Sequence, residues 1–238
     1  MLGKNIMGNA FEGESYVGKT SSIEALKEME ELRESGIIAV PEYSVIGKLP
    51  EFPRVDKSDI KKAVQGIIDL EKRRTDKLVK DLESNKNSEV FFDRGPISCL
   101  AFEYAAEKHG YKGATLWLAE EFQRAFEDKN IIIPAGMIYL MSSRNVIEER
   151  EKKHIAQGHS KILDFLKDRE VIKTMNGTLK MFREYLPKQF FIILDTGNKK
   201  PQEVGADVLQ FITNQPKDVL EHKLDFISFA HSLIKKSI

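Results

Sequence analysis

Residues 13–20 read Gly-Glu-Ser-Tyr-Val-Gly-Lys-Thr. This is the spacing G-x-x-x-x-G-K-[ST], in which glycines let successive backbone N–H groups turn inward around a phosphate. The pattern constrains both flanks. It needs a buried strand before it and a helix after it, whose dipole adds positive potential at the anion. Apolar residues at Ile23, Leu26, Met29 and Leu32 supply the helical period, with Gly36 as its stop. Gly13, Glu14, Ser15, Tyr16, Val17, Gly18, Lys19, Thr20 and Ser21 are therefore expected to surround a polyphosphate. Lys19 would reach the β- and γ-phosphates, and Thr20 would hold Mg²⁺.

The rest of the chain alternates apolar runs with helical patterns, which predicts parallel strands joined by crossover helices. Strands are expected at 5–11, 37–42, 90–93, 137–141 and 190–195. Helical spacing covers 59–83, 98–108, 115–128, 144–154, 161–186 and 217–236, whereas 43–58 holds three prolines and reads as a loop. No linker divides the chain, so a single α/β domain over 1–238 is expected. Its sheet would be mostly parallel and five-stranded, with helices on both faces. A helical lid is expected near 144–170 and a helical extension at 215–238.

The third strand, Val-Phe-Phe-Asp, ends in Asp93 and is followed by Arg94. Ligands of open parallel sheets bind at the carboxyl ends of strands. A carboxylate there can hold Mg²⁺ beside the phosphate loop, and the arginine can carry charge for a phosphate or substrate anion.

The formal net charge is zero, from 37 basic and 37 acidic residues. That argues against a nucleic-acid polymer as partner on bulk electrostatics. A single cysteine, Cys99, excludes an intramolecular disulfide and a multi-cysteine zinc site. His154, His159 and His222 have no metal-ligand spacing. The apolar stretch 131–141 is too short to span a membrane and is broken by Pro134. No signal peptide is recognisable, and a cytoplasmic address is expected. Lys72, Arg73 and Arg74 read as a solvated basic face, and Trp117, Phe122 and Phe126 as core. In the tail, Leu220, Leu224, Ile227, His231 and Ile234 form one stripe, expected to pack on the body. A dimer surface and a membrane-surface helix are the rival readings, and the mixed charge speaks against the second.

The segment Asp-Arg-Gly-Pro-Ile-Ser-Cys-Leu-Ala-Phe (93–102) resembles the DR-x-x-x-S-x-x-A-[FY] stretch of thymidylate kinases, and deoxynucleoside kinases have a comparable one. Phe-Glu-Gly and Gly-Lys-Thr in 11–20 resemble their first loop. Residues 137–150 resemble their strand and lid helix, and 190–212 their last strand, adenine-side loop and closing helix. The likeness spans 5–212 in order and spacing, and only the first two motifs are specific to that group.

The resemblance implies transfer of the ATP γ-phosphoryl to a nucleotide or nucleoside, with ATP and Mg²⁺. Lys19 would stabilise the transferring phosphoryl, and Thr20 with Asp93 would place the metal. Arg94 matches an arginine that contacts acceptor or transferred phosphate, and Arg150 the lid arginine. Glu42 falls where related nucleoside kinases carry a glutamate serving the sugar hydroxyl, so a general-base role and a solvated loop residue are both open. The chain departs from thymidylate kinases in having Ser15 for a loop aspartate, Glu42-Tyr43-Ser44 for Glu-Pro-Gly, Gly95 for an aromatic residue and His154 for a second lid arginine. A P-loop kinase of another small hydroxyl compound and a nucleotide-dependent regulatory NTPase are the alternatives. A homodimer is left open.

Overall fold

The computed structural model describes residues 8–158, 163–216 and 225–235. The chain runs β1 (Asn9–Glu12), α1 (Lys19–Lys27), α2 (Glu30–Arg33), β2 (Ile37–Val40), α3 (Tyr43–Ile46), α4 (Lys57–Ser84), β3 (Glu89–Asp93), α5 (Pro96–Lys108) and α6 (Thr115–Glu127). It continues through β4 (Gly136–Met141), α7 (Arg144–Ala156), α8 (Arg169–Met181), β5 (Phe191–Asp195), α9 (Pro201–Thr213) and α10 (Phe226–Lys235).

The five strands form one parallel sheet in the order β2-β3-β1-β4-β5. After β1 the chain moves out to β2 and returns through β3. It then crosses to the far side of β1 for β4 and β5. That reversal opens a crevice at the carboxyl ends of β1 and β3, where such sheets bind ligands.

Side chains alternate between two cores, as the pleat requires. Phe11, Phe91, Ile138 and Leu140 face α1 and α9, meeting Ile23, Leu26, Val204 and Val208. Met137, Tyr139 and Phe191 face the other layer, with Ile67 and Ile68 of α4 and Leu100, Phe122 and Leu179 buried on that side. A third cluster joins Ala10, Val90 and Phe92 to Leu78 and Leu82 of α4. Burial on both faces explains why β3 and β4 read as unbroken apolar runs, while the edge strands leave Ile193 of β5 exposed and Ile37 and Ala39 of β2 half-buried.

Several expectations need adjustment. The second strand ends at Val40, so Glu42 stands in the connection, as the residue capping α3. The helix expected through 23–32 breaks at Glu28–Met29, where Met29 is extended and its side chain lies against Gly205 of α9. The 43–58 segment carries the short helix α3 and the first two residues of α4, with irregular chain between them. The helical stretch 161–186 is interrupted: a 3₁₀ turn at Asp164–Lys167 precedes α8, which starts at the Asp168 cap. Asp168 accepts the Glu170 N–H at 2.8 Å. Tail residues 217–224 and lid residues 159–162, with His159 and His222, lie outside the described residues, as do strand residues 5–7.

In α10 the buried stripe is Phe226, Phe229, Ala230 and Leu233, and it packs on α6 beside Phe122. Ile227 is half-buried, and His231 and Ile234 are exposed, so the expected stripe is displaced by one residue. Two phenylalanines outweigh the aliphatic series because they remove more apolar area from water. No helix among the described residues is long and apolar enough to cross a membrane.

Candidate active site

The loop after β1 closes against β4. Gly13 has φ 130°, and a Cβ there would overlap the Leu140 carbonyl oxygen. Gly18, with φ 105°, caps α1 from the left-handed region. Both positions require glycine. Among the described residues the backbone N–H groups of Glu14, Ser15, Tyr16 and Val17 have no backbone acceptor. Orphan donors gathered at a helix start are the elements of an anion nest.

Lys19 is buried, and its ammonium donates to the carbonyl oxygens of Glu14 at 2.9 Å and Gly13 at 3.4 Å. Burial and the neighbouring Arg94 charge push its pKa down to about 8, against the pull of Asp93, Glu42 and Glu12. A cation held there without full compensation favours an added anion.

Asp93 ends β3 directly beside β1, with Phe11 paired to it in the sheet. Its Oδ2 accepts the Thr20 hydroxyl in a short hydrogen bond, while its Oδ1 is buried without a partner. An orphaned carboxylate oxygen next to a threonine hydroxyl is a donor set suited to a hard cation such as Mg²⁺. No group of three or more His, Cys, Asp or Glu side chains among the described residues could hold a metal. Two protein oxygens suffice where phosphates and water complete the shell.

Arg94 follows with φ 66°, a left-handed backbone rare for a side-chain-bearing residue. Its guanidinium donates to the Gly13 carbonyl at 3.1 Å and lies 3.6 Å from the Glu42 carboxylate. Burial alone would raise the Glu42 pKa, but the Ser44 hydroxyl and the Arg94 and Lys19 charges outweigh it and hold the carboxyl below its usual value. Glu42 is thus an ionised hydrogen-bond acceptor and a weak base.

Arg150, from α7, donates to the carbonyls of Val17 at 2.9 Å and Thr196 at 2.8 Å. It ties the phosphate loop to the end of β5. Tyr16 lies over the same region, its ring 5.2 Å from that of His154. Arg144 at the start of α7 pairs with Glu14 at 2.8 Å. Thr20 and Ser21 are exposed at the head of α1. All the residues named from the motif therefore converge on one place. Loop residues 13–21 with Glu42, Arg94 and Arg150 line a cavity of about 1140 Å³ that continues between α4, α5 and α8, and Asp93 is buried behind Thr20.

Three residues went unread in the sequence. Glu12, fully buried, accepts the Gly95 N–H at 2.7 Å and the Ser98 hydroxyl, joining the end of β1 to the β3–α5 corner. Burial raises its pKa in spite of Ser98 and Arg94. The serine five places after Asp93 was the available signal. Glu103 clasps Arg54 through two hydrogen bonds, with both side chains buried. Nothing local distinguishes either residue from a surface charge.

Arg74 corrects the reading of 72–74 as a solvated face. Its guanidinium is buried, pairs with Glu71 at 2.8 Å, and lies 4.2 Å from the Tyr43 ring centroid. It also donates to the carbonyls of Pro41 at 2.9 Å and Arg94 at 2.6 Å. Arg73 is exposed and Lys72 half-buried. Trp117 is partly exposed, whereas Phe122 is fully buried.

A parallel sheet of this order, with a glycine-rich loop between β1 and α1, is an α/β P-loop NTPase fold. Among solved structures the chain is similar to thymidylate kinase from Candida albicans, with a TM-score of 0.53 and 14% identity. The match covers 87% of this chain and 91% of that one, so the fold is a thymidylate kinase-like P-loop kinase fold. No protein-family profile matches the chain, and comparison with curated proteins finds no match in sequence.

Proposed function

We propose that this chain is an ATP- and Mg²⁺-dependent phosphotransferase that moves the γ-phosphoryl of ATP to a nucleotide or nucleoside. The observation that carries the reading is the Thr20–Asp93 pair, with Asp93 Oδ1 buried and unpartnered, beside a buried lysine and a loop of unpaired N–H groups. Each donor set matches one part of a nucleotide–metal complex.

Phosphoryl transfer needs in-line positioning and stabilisation of spread negative charge, with little covalent work by the protein. The loop N–H groups and α1 would hold the phosphates. Lys19 would bridge toward the transferring group, and Arg94 would face it from the β3 side. Thr20 and Asp93 would hold Mg²⁺, which when bound neutralises charge on the phosphate oxygens. Arg150 and α7 would cover the donor side and exclude water, the competing acceptor. Glu42 would orient the acceptor.

The test is ATP turnover with acceptor, together with ATP calorimetry. Lys19→Ala should abolish transfer while circular dichroism remains that of the parent. Asp93→Asn should raise the magnesium concentration needed for half-maximal rate. Normal turnover in the first variant, or an unaltered magnesium titration in the second, would contradict the reading.

A further inference from the structure

The sheet ends at β5, and the outer edge of that strand is open. The Thr196 N–H donates to the Met141 carbonyl of β4 at 2.8 Å, with Asp195 paired to Met141 in the register. In a parallel ladder alternate residues turn both backbone groups the same way. Ile192 and Leu194 therefore face β4, and Phe191, Ile193 and Asp195 turn their N–H and C=O groups outward. Among the described residues those groups meet no other backbone group. Natural edges are blunted by proline, lysine or a bulge. β5 reads Phe-Ile-Ile-Leu-Asp and is regularly paired with β4 along its whole length, so it has none of these.

Its side chains are open as well. Ile193, on the same face as Phe191, is 40% exposed. On the opposite face a cavity of about 480 Å³ is lined by Ile192 and Leu194 and, from α9, by Gln210 and Phe211. Charge is divided between the two ends of the strand. The Arg183 guanidinium lies over the Phe191 ring, 5.6 Å from its centroid, and Asp195 closes the other end. Both are exposed, and neither has an ion-pair partner among the described residues.

We propose that this edge binds a second copy of the chain, antiparallel across a two-fold axis at Ile193, so that the sheet continues from one copy into the other. The outward residues are symmetric about Ile193. An antiparallel copy places Ile193 opposite Ile193 and Phe191 opposite Asp195, and each opposed pair exchanges both hydrogen bonds. A slip of one residue would set outward groups against residues that face β4, with nothing to bond. A slip of two would part the isoleucines. In the proposed register Asp195 of the second copy arrives on the face where Arg183 covers Phe191, and the two-fold axis repeats that ion pair. The Ile193 side chains meet at the centre, and Ile192 meets Leu194 over the α9 groove. The strand is thus complementary in charge to itself reversed, which favours a second copy over an unrelated strand.

Sedimentation equilibrium of the full chain, from about 1 µM to about 100 µM, should show a monomer–dimer equilibrium. Ile193→Pro removes an outward N–H and no bond to β4, so it should raise the dimer Kd by about tenfold or more. Arg183→Glu and Asp195→Arg should each weaken the dimer. Together they should return it toward the parent Kd, because each charge again meets its opposite. In a Cys99→Ser background, Ile193→Cys should give a disulfide-linked dimer on mild oxidation, since residues of a hydrogen-bonded pair lie about 5.5 Å apart at Cα. Gln189→Cys should not. A monomer at every concentration overturns the proposal. So does a dimer indifferent to Ile193→Pro and to the charge exchanges, which would have formed through another face. Cross-linking through Gln189→Cys in place of Ile193→Cys overturns the register. If Ile193→Pro loses its circular dichroism, the charge exchanges and the cross-link decide.

Discussion

Lys19, in the proposed role, would trade stability for binding. Its ammonium is buried, and its pKa stands at about 8 instead of 10.5. Below pH 8 the charge is held in the folded chain at a cost, and that cost fades as pH rises from 8 toward 10.5. A polyphosphate favours the charged form, so binding raises the pKa. ATP affinity should then be level below about pH 7 and weaken above pH 8, by at most about tenfold per pH unit, with proton uptake on binding. Calorimetry in buffers of different ionisation enthalpy measures that uptake; none at pH 8.5 would refute the assignment. Lys19 was legible because its motif is local. Arg74 and Glu12 were not, because their partners lie in other elements: Arg74 meets carbonyls at 41 and 94, and Glu12 meets Gly95 and Ser98.

At the scale of elements, α4 does more than cover the sheet. Its Glu71–Arg74 pair grips the ends of both β2 and β3. Removing one member of a buried pair leaves the other charge unpaired, at about 3–5 kcal/mol. Arg74→Met should cost roughly that in urea unfolding, and Arg74→Met with Glu71→Leu should recover much of it. Equal losses in both variants would mean that the carbonyl ties dominate. The inner strands β3 and β4 were legible because both faces are buried and the apolar runs are continuous. Helix ends were less so, since caps such as Asp168 depend on where the chain turns. In α10 a period drawn through Ile227 and Ile234 missed the stronger one through Phe226 and Phe229, whose ring partners, Phe122 on α6 and Phe182 and Tyr185 after α8, are remote in sequence.

Across the whole molecule, the ends of β1 and β3, which bear the glycine-rich loop and Asp93, are neighbours because the chain goes out to β2 and returns to pair β3 with β1. Ligand binding should therefore register as global stability. At a hundredfold excess over Kd, ATP with Mg²⁺ should add about 2.7 kcal/mol, or roughly 5–10 °C in Tm for a domain of this size. A thermal melt with and without magnesium checks this, and no shift would indicate an empty site. The order of strands was anticipated only as far as parallel pairing, because strand adjacency is decided by crossover routes that side-chain patterns do not encode. One guanidinium, that of Arg74, gathers backbone from the ends of β2 and β3 behind the cavity wall. The frame of the pocket is thereby locked as a unit, so shifts in substrate preference would have to come from exchanging the side chains mounted on it, and not from reshaping the scaffold beneath.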